Sequence, residues 1–370
     1  PAGRLHGARP GRLTVGRLTG GPSHQPSTGP VPNTSRVRRH RTGGSVHAID
    51  TAAAPRTGTT DAYAPFPVTA DADRWSLSRT VVPTVHGPVV VHARSGDRPL
   101  LFLHGVAGSW TTWTPLLEAA DGFPTRGLVL VDLPGWGSSP APSTPLSVDD
   151  AVAVLTAVLD ALDVPVVDVV GHSMGAFVGM HLAVAAPDRT RSVTLVSGTT
   201  FAAIDAARHP VRGVLTVPAF TLLRAGLAIT RGAAVPMLRV LAGIGLLRLL
   251  AAPVFTHVRR LDRSVLDAFV EELRPAGFLA AARSGAAYDT DRWRRIRCPV
   301  TAVSGRDDVF ARVRDLEDLA GVVPQTRTVL LDDCGHFAHV EHPAAVVAAL
   351  SGTAAASRTR ADDVGPRRRS

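Results

Sequence analysis

Val166-Val167-Asp168-Val169-Val170-Gly171-His172-Ser173-Met174-Gly175-Ala176-Phe177 is a short β-branched run that passes through two glycines into a helical stretch ending before Pro187. The run reads as a buried strand, and Met174–Ala186 reads as a helix. Between them sits Gly-x-Ser-x-Gly, which carries chemistry only in this strand–turn–helix context. A serine on so sharp a turn is held in strained backbone geometry. Glycines two positions to either side leave room for the chain to fold back. The hydroxyl then projects above the sheet, where the helix N-terminus favours negative charge. Ser173 is therefore the candidate nucleophile.

The pattern around this stretch has the same character. Val81–Val85 and Val89–His92 read as strands about His86-Gly87-Pro88. Leu100–His104, Leu128–Asp132, Ser192–Ser197, Val300–Ser304 and Thr328–Leu331 are further short apolar runs. Helical segments separate them: Thr112–Ala120, Val148–Leu162 with a cap at Ser147, one from Ala311 and one after Pro343. Such alternation predicts an α/β fold, a mostly parallel sheet with helices on both faces. Phe201 to about Arg297 breaks the alternation and reads as several helices, a helical cap inserted into the core. The expected organisation is an irregular tail over 1–75, core over 76–200, cap over 201–297, core again over 298–352 and a basic tail over 353–370.

A serine hydroxyl needs a base, and the base needs an orienting acid. Gly305-Arg306-Asp307-Asp308 follows the strand Val300–Ser304. Cys334-Gly335-His336-Phe337 follows the strand Thr328–Leu331. Both lie where loops at the carboxyl edge of such a sheet gather. His336 is the candidate base, and the residues themselves leave the acid open between Asp307 and Asp308. His339 and His342 also follow. Three histidines in seven residues raise a metal site, but no thiolate or carboxylate is spaced to complete one, so His339 and His342 read as packing or capping residues and no metal is expected. His104-Gly105-Val106-Ala107-Gly108 follows the third strand. With Met174 it offers backbone N–H donors for an oxyanion, Val106 and Met174 being the candidates. His104, Gly105, Trp136 and His172 are candidates for the substrate pocket. Asp132-Leu133-Pro134-Gly135-Trp136-Gly137 is assigned no chemistry.

Composition narrows the partners. The chain has 370 residues, 45% of them hydrophobic, and all 40 basic residues are arginine. The net charge of +9 lies in the two tails, which argues against nucleic-acid binding. Cys298 and Cys334 lie in or beside strand-like runs and read as small buried side chains rather than a disulfide. No uncharged apolar run is long enough to span a bilayer. No secretory signal is visible, although the acid-free first 49 residues resemble a transit peptide in composition. A cytoplasmic protein is expected. Residues 201–297 carry 15 Arg and seven acids. That cap fits an ordinary solvated outer face. It is also compatible with contact to an anionic membrane surface, or with a carboxylate-bearing substrate.

Taken together and in this order, the His-Gly loop, Asp-Leu-Pro-Gly-Trp-Gly, Gly-His-Ser-Met-Gly, Gly-Arg-Asp-Asp and Gly-His-Phe-Ala-His-Val-Glu-His-Pro resemble the serine-nucleophile, capped branch of the α/β-hydrolase superfamily, over about residues 78–352. The resemblance implies Asp308, the fourth residue of Gly-x-x-Asp, as the acid. It implies His336, followed by Glu341-His342-Pro343, as the base. It also implies a cofactor-free hydrolase acting on a carboxylic ester or thioester of a small to medium apolar substrate. C–C bond hydrolases, perhydrolases or haloperoxidases, acyltransferases and non-catalytic receptors share these motifs and stay open. Epoxide hydrolases and haloalkane dehalogenases use an aspartate nucleophile and fit Ser173 poorly.

Overall fold

The β-branched and leucine-rich runs pair into one eight-stranded sheet, seen in a computed structural model that describes residues 63–351. The strands are β1 (Ser78–Thr84), β2 (Gly87–Arg94), β3 (Asp97–Leu103), β4 (Arg126–Val131), β5 (Val167–His172), β6 (Thr190–Val196), β7 (Val300–Gly305) and β8 (Thr326–Leu331). Their order is β1-β2-β4-β3-β5-β6-β7-β8. The β1–β2 and β2–β4 pairs are antiparallel and the rest parallel.

Side chains along the central strands alternate between two cores. Leu101 and Leu103 of β3 and Val169 of β5 face one cluster with Val154, Leu155, Phe177 and Trp293. Leu100 and Phe102, with Val170, face the other, with Trp113, Leu116 and Leu117. Every residue of β5 and β7 is buried, because helices cover both faces. These are α1 (Thr114–Ala119), α2 (Val148–Ala161) and α3 (Met174–Ala185), followed beyond β6 by an insertion. Ser147 caps α2 as its sequence suggests: its hydroxyl accepts from Asp150 N–H, and the Asp150 carboxylate accepts from Ser147 N–H.

The insertion between β6 and β7 is helical: α4 (Phe201–Arg208), α5 (Pro210–Thr216), α6 (Pro218–Thr230), α7 (Ala234–Gly243), α8 (Leu247–Ala251), α9 (Arg263–Glu271) and α10 (Pro275–Ala287). The chain then returns through α11 (Val313–Val322), α12 (Ala338–Glu341) and a last helical stretch, 343–351.

Two expectations need correction. The composition predicts an irregular tail over 1–75, but residues 63–75 pack onto the core. Tyr63, Ala64 and Trp75 are buried. Ala64 N–H donates to the Glu341 carbonyl at 2.7 Å, and Val68 N–H to Ser264 Oγ at 3.0 Å. A segment can be aperiodic and still bury isolated aromatics, which no period reveals. Residues 1–62 and the tail over 353–370 lie outside the described residues. Cys334 is buried as expected, with its thiol pushed up by burial, but Cys298 is only half-buried; neither forms a disulfide.

The sheet order dictates where a site can form. β4 lies on one side of β3 and β5 on the other, so the connections after β3 and β5 diverge to opposite faces. A crevice opens at the carboxyl ends of these two strands. The loop after β3 and the turn after β5 meet there, with Leu103 in register with Gly171.

Candidate active site

The β5–α3 turn has the strain its motif requires. Ser173 has φ 50° and ψ −115°, outside the regions a non-glycine residue favours, at a cost of about 1–3 kcal/mol. A Cβ on Gly171 would stand 2.5 Å from Ala176 N, and one on Gly175 would strike the Leu103 carbonyl. Only glycine at both positions lets α3 fold back against β5 and β3. The turn is over-determined by its bonds: Ser173 N–H donates to the Val196 carbonyl, and the Ser173 carbonyl accepts from Ala176, Phe177 and Thr199 N–H. The Ser173 hydroxyl lies 3.4 Å from Thr199 Oγ1. Thr199, just beyond β6, carries no motif that would mark it in the sequence.

The loops after β7 and β8 bring Asp308 and His336 together. Both carboxylate oxygens of Asp308 lie 2.9 Å from His336 Nδ1. One of them also accepts from Phe310 N–H at 2.8 Å and Ala311 N–H at 3.1 Å. Asp307 is exposed, and its N–H donates to the Cys334 carbonyl. So the adjacent pair divides into one inward and one outward carboxylate. With Nδ1–H donating to Asp308, the imidazole Nε2 is the bare nitrogen. His336 is held at both backbone ends: its N–H donates to the Val254 carbonyl at 3.0 Å, and its carbonyl accepts from His172 Nε2–H at 3.0 Å. Gly335 permits this, since a Cβ there would stand 2.5 Å from the Val254 oxygen.

Ser173, His336, Val106, Met174 and His172 all line one cavity of about 510 Å³. Met174 is the first residue of α3, so its N–H has no intrahelical acceptor. Gly105 brings the Val106 loop close over the serine; a Cβ there would stand 3.1 Å from Ser173 Cβ and 2.7 Å from His172 Nδ1.

Three pocket candidates stand behind the wall rather than in it. His104 is fully buried: Leu133 N–H donates to its Nε2 at 3.0 Å, which leaves Nδ1–H to donate to the Gly105 carbonyl at 2.7 Å. Burial pushes its pKa down to about 4, so it is a neutral strut between two loops. Trp136 donates its indole N–H to the Val106 carbonyl at 3.0 Å and packs under Gly277 of α10. Gly105 is buried beneath the loop it starts. Whether a side chain faces a cavity or its back depends on contacts with distant segments, which no local stretch of sequence shows. Asp132 accepts from Trp110 and Ser138 N–H and ties the same loops together.

The three late histidines do not converge. His339 is wedged between Trp113 and His172, with ring centroids at 4.6 and 4.4 Å, and burial pushes its pKa down to about 3. His342 donates Nε2–H to the Asp333 carbonyl at 2.8 Å. Among the described residues no group of three or more metal-ligating side chains is close enough to hold an ion.

Glu341, quoted above only in the motif that follows His336, braces the His336 loop. It is completely buried, and its carboxylate accepts from the N–H groups of Gly335 and Phe337, on either side of His336, and from Thr256 N–H. Tyr63 donates its hydroxyl to the same carboxylate at 2.7 Å and accepts from His257 N–H at 2.9 Å. Burial and the neighbouring Glu341 push the Tyr63 pKa up. Tyr63→Phe is expected to lower folding stability by about 2 kcal/mol, the scale of a buried bond to a charged acceptor. Urea denaturation measures it; an unchanged midpoint would remove Tyr63 from the clamp.

Apart from Thr199 and Thr230 the rest of the cavity wall is apolar, with Phe177, Leu223, Leu227, Phe269, Phe278 and Phe310 prominent. Among the described residues that line it there is no Asp, Glu or Arg. Such an arrangement sets a strained hydroxyl, an oriented imidazole and the N–H groups of Val106 and Met174 at one largely apolar wall.

Comparison with known proteins identifies the fold family. Residues 98–343 match the family profile described as the alpha/beta hydrolase fold. A 2-hydroxy-6-oxononadienedioate/2-hydroxy-6-oxononatrienedioate hydrolase of Burkholderia vietnamiensis is 28% identical over 256 residues, 67% of this chain and 84% of that protein. The candidate carbamate hydrolase RutD of Azorhizobium caulinodans is 33% identical over 120 residues, 32% of this chain and only 44% of its own length. A thermophilic esterase of Thermogutta terrifontis superposes with a TM-score of 0.58 at 20% identity, covering 76% of this chain and 99% of that one.

Proposed function

The chain belongs to the α/β-hydrolase family, and from that premise we propose that it is a serine hydrolase cleaving a carboxylic ester or thioester of a small to medium apolar substrate. The observation that carries the reading is the strained Ser173 in the same apolar cavity as His336, whose Nδ1 is held by Asp308. In the proposed reaction His336 Nε2 takes the proton as Ser173 Oγ attacks the carbonyl carbon. The N–H groups of Val106 and Met174 receive the developing oxyanion. His336 then protonates the leaving alcohol, and the acyl group stays on Ser173. Water, deprotonated by the same imidazole, releases the acid. No step calls for a cofactor.

A second reading deserves weight because of the Burkholderia relative, whose named substrates are dicarboxylates. A C–C bond hydrolase of that kind must hold carboxylate groups. Burying an unpaired carboxylate costs several kcal/mol, and no arginine lines this cavity among the described residues. This favours the neutral ester.

A panel of p-nitrophenyl esters of increasing acyl length tests the proposal. kcat/KM is expected to rise with each methylene by up to about fourfold, the value of burying one CH₂, until the cavity is filled. Turnover of a 2-hydroxy-6-oxo-dienedioate, with none of any ester, would overturn it.

A further inference from the structure

The mouth of the cavity opens onto an apolar surface. Leu222 of α6, Met237 of α7 and Leu250 of α8 line the cavity and are also 63%, 48% and 51% exposed. Ile229 lies seven residues after Leu222 and Val240 three after Met237, so each shares its neighbour's helical face. Leu249 adjoins Leu250. These three are 82%, 65% and 73% exposed. Together the six form an uncovered apolar rim around the entrance, of the kind that marks an interaction surface. Pro218–Gly243, which contains α6 and α7, is long and apolar enough by length and composition to cross a membrane, yet only 11% of its most apolar window is buried. It also carries Arg224, Arg231 and Arg239, and the helix breaks at Arg231, with φ 47° and ψ −120°. A broken, arginine-studded apolar helix suits lying in an interface, not spanning it.

Charge identifies the occupant. From Ala206 to Leu261 there are eight Arg and no acid. A second copy of this face would bring the same positive charge against it. Residues 1–62 carry nine Arg and two Asp and would be repelled likewise. An apolar rim set in arginines is complementary to one surface above others, an anionic bilayer with phosphate headgroups over acyl chains.

We propose that helices α6–α8 dock on an anionic membrane surface with the cavity mouth facing the lipid, so that apolar ester substrates enter from the bilayer. The docking stands on the surface alone; the entry of substrate rests on the ester-hydrolase reading. Flotation of the full chain with vesicles of phosphatidylcholine, alone or mixed with phosphatidylglycerol, tests it. The protein is expected to float with the phosphatidylglycerol vesicles and to be released by high salt, which screens the arginines. The triple variant Ile229→Asp, Val240→Asp, Leu249→Asp should lose about tenfold or more of the bound fraction, while hydrolysing a water-soluble ester without vesicles at the wild-type rate. Arg231→Glu with Arg239→Glu should abolish the preference for anionic vesicles. Ser173→Ala should float like the wild type, which separates docking from catalysis. Absence of flotation, or equal flotation of wild type and triple variant, overturns the proposal. So does a dimer in sedimentation that the triple variant dissociates, which gives the face to a second copy.

Discussion

Ser173→Ala is expected to remove turnover of p-nitrophenyl esters, with kcat falling about a millionfold, the scale at which a triad nucleophile is lost elsewhere. The argument is local. The hydroxyl stands on a turn with φ 50°, over the first turn of α3, in the same cavity as His336. In the proposed reaction its Oγ carries the acyl group, and alanine cannot. The fold should survive, because the side chain gives up only a hydrogen bond of 3.4 Å to Thr199. The same turn geometry is imposed on either residue by Gly171, Gly175 and the four backbone bonds around position 173. Circular dichroism and thermal unfolding should therefore match the wild type while covalent labelling by a fluorophosphonate disappears. Turnover retained in a folded Ser173→Ala protein would end the serine-hydrolase reading.

Asp308→Asn is expected to lower kcat by about ten-thousandfold, whereas Asp307→Asn stays within about twofold, as an exposed substitution should. The contrast follows from the donors around each carboxylate. Asp308 accepts from two backbone N–H groups and from His336 Nδ1–H. An asparagine satisfies the backbone donors with its single oxygen and turns its NH₂ towards His336. The imidazole must then carry its proton on Nε2, where it can no longer accept one from Ser173. Asp307 is solvated, and only its backbone is engaged, at the Cys334 carbonyl. Because the defect is one of tautomer, it should appear in kcat with little change in KM. Equal losses in both variants would show that the two carboxylates share the role.

Residues that act through local geometry were legible from the chain alone. Gly171, Ser173 and Gly175 announce the turn because its crowding excludes any Cβ at two positions and sets the third side chain at the cavity. The loops carrying His336 and the Asp307–Asp308 pair were legible because each follows an apolar strand. Spacing and periodicity did not choose between the two aspartates, since adjacent side chains diverge; the family resemblance pointed to Asp308, and the fold turns that carboxylate towards His336. Tyr63 and Glu341 stand 278 residues apart and hydrogen-bond in the interior. Nothing in either neighbourhood signals the other. The same holds for Trp136, whose ring looks like a pocket wall until its N–H is found on Val106.

By itself the sequence determined the sheet, the turn that strains Ser173 and the chain order of hydroxyl, acid and imidazole. These depend on periodicity and on steric rules that act within a few residues. Tertiary structure alone decided that Asp308 faces His336 and that Glu341 clamps the His336 loop. It also turned His104 into a neutral strut and left the apolar rim of the insertion uncovered. Those outcomes depend on which distant backbone donors and apolar surfaces come within contact distance, and that is a property of packing, not of any local stretch of chain.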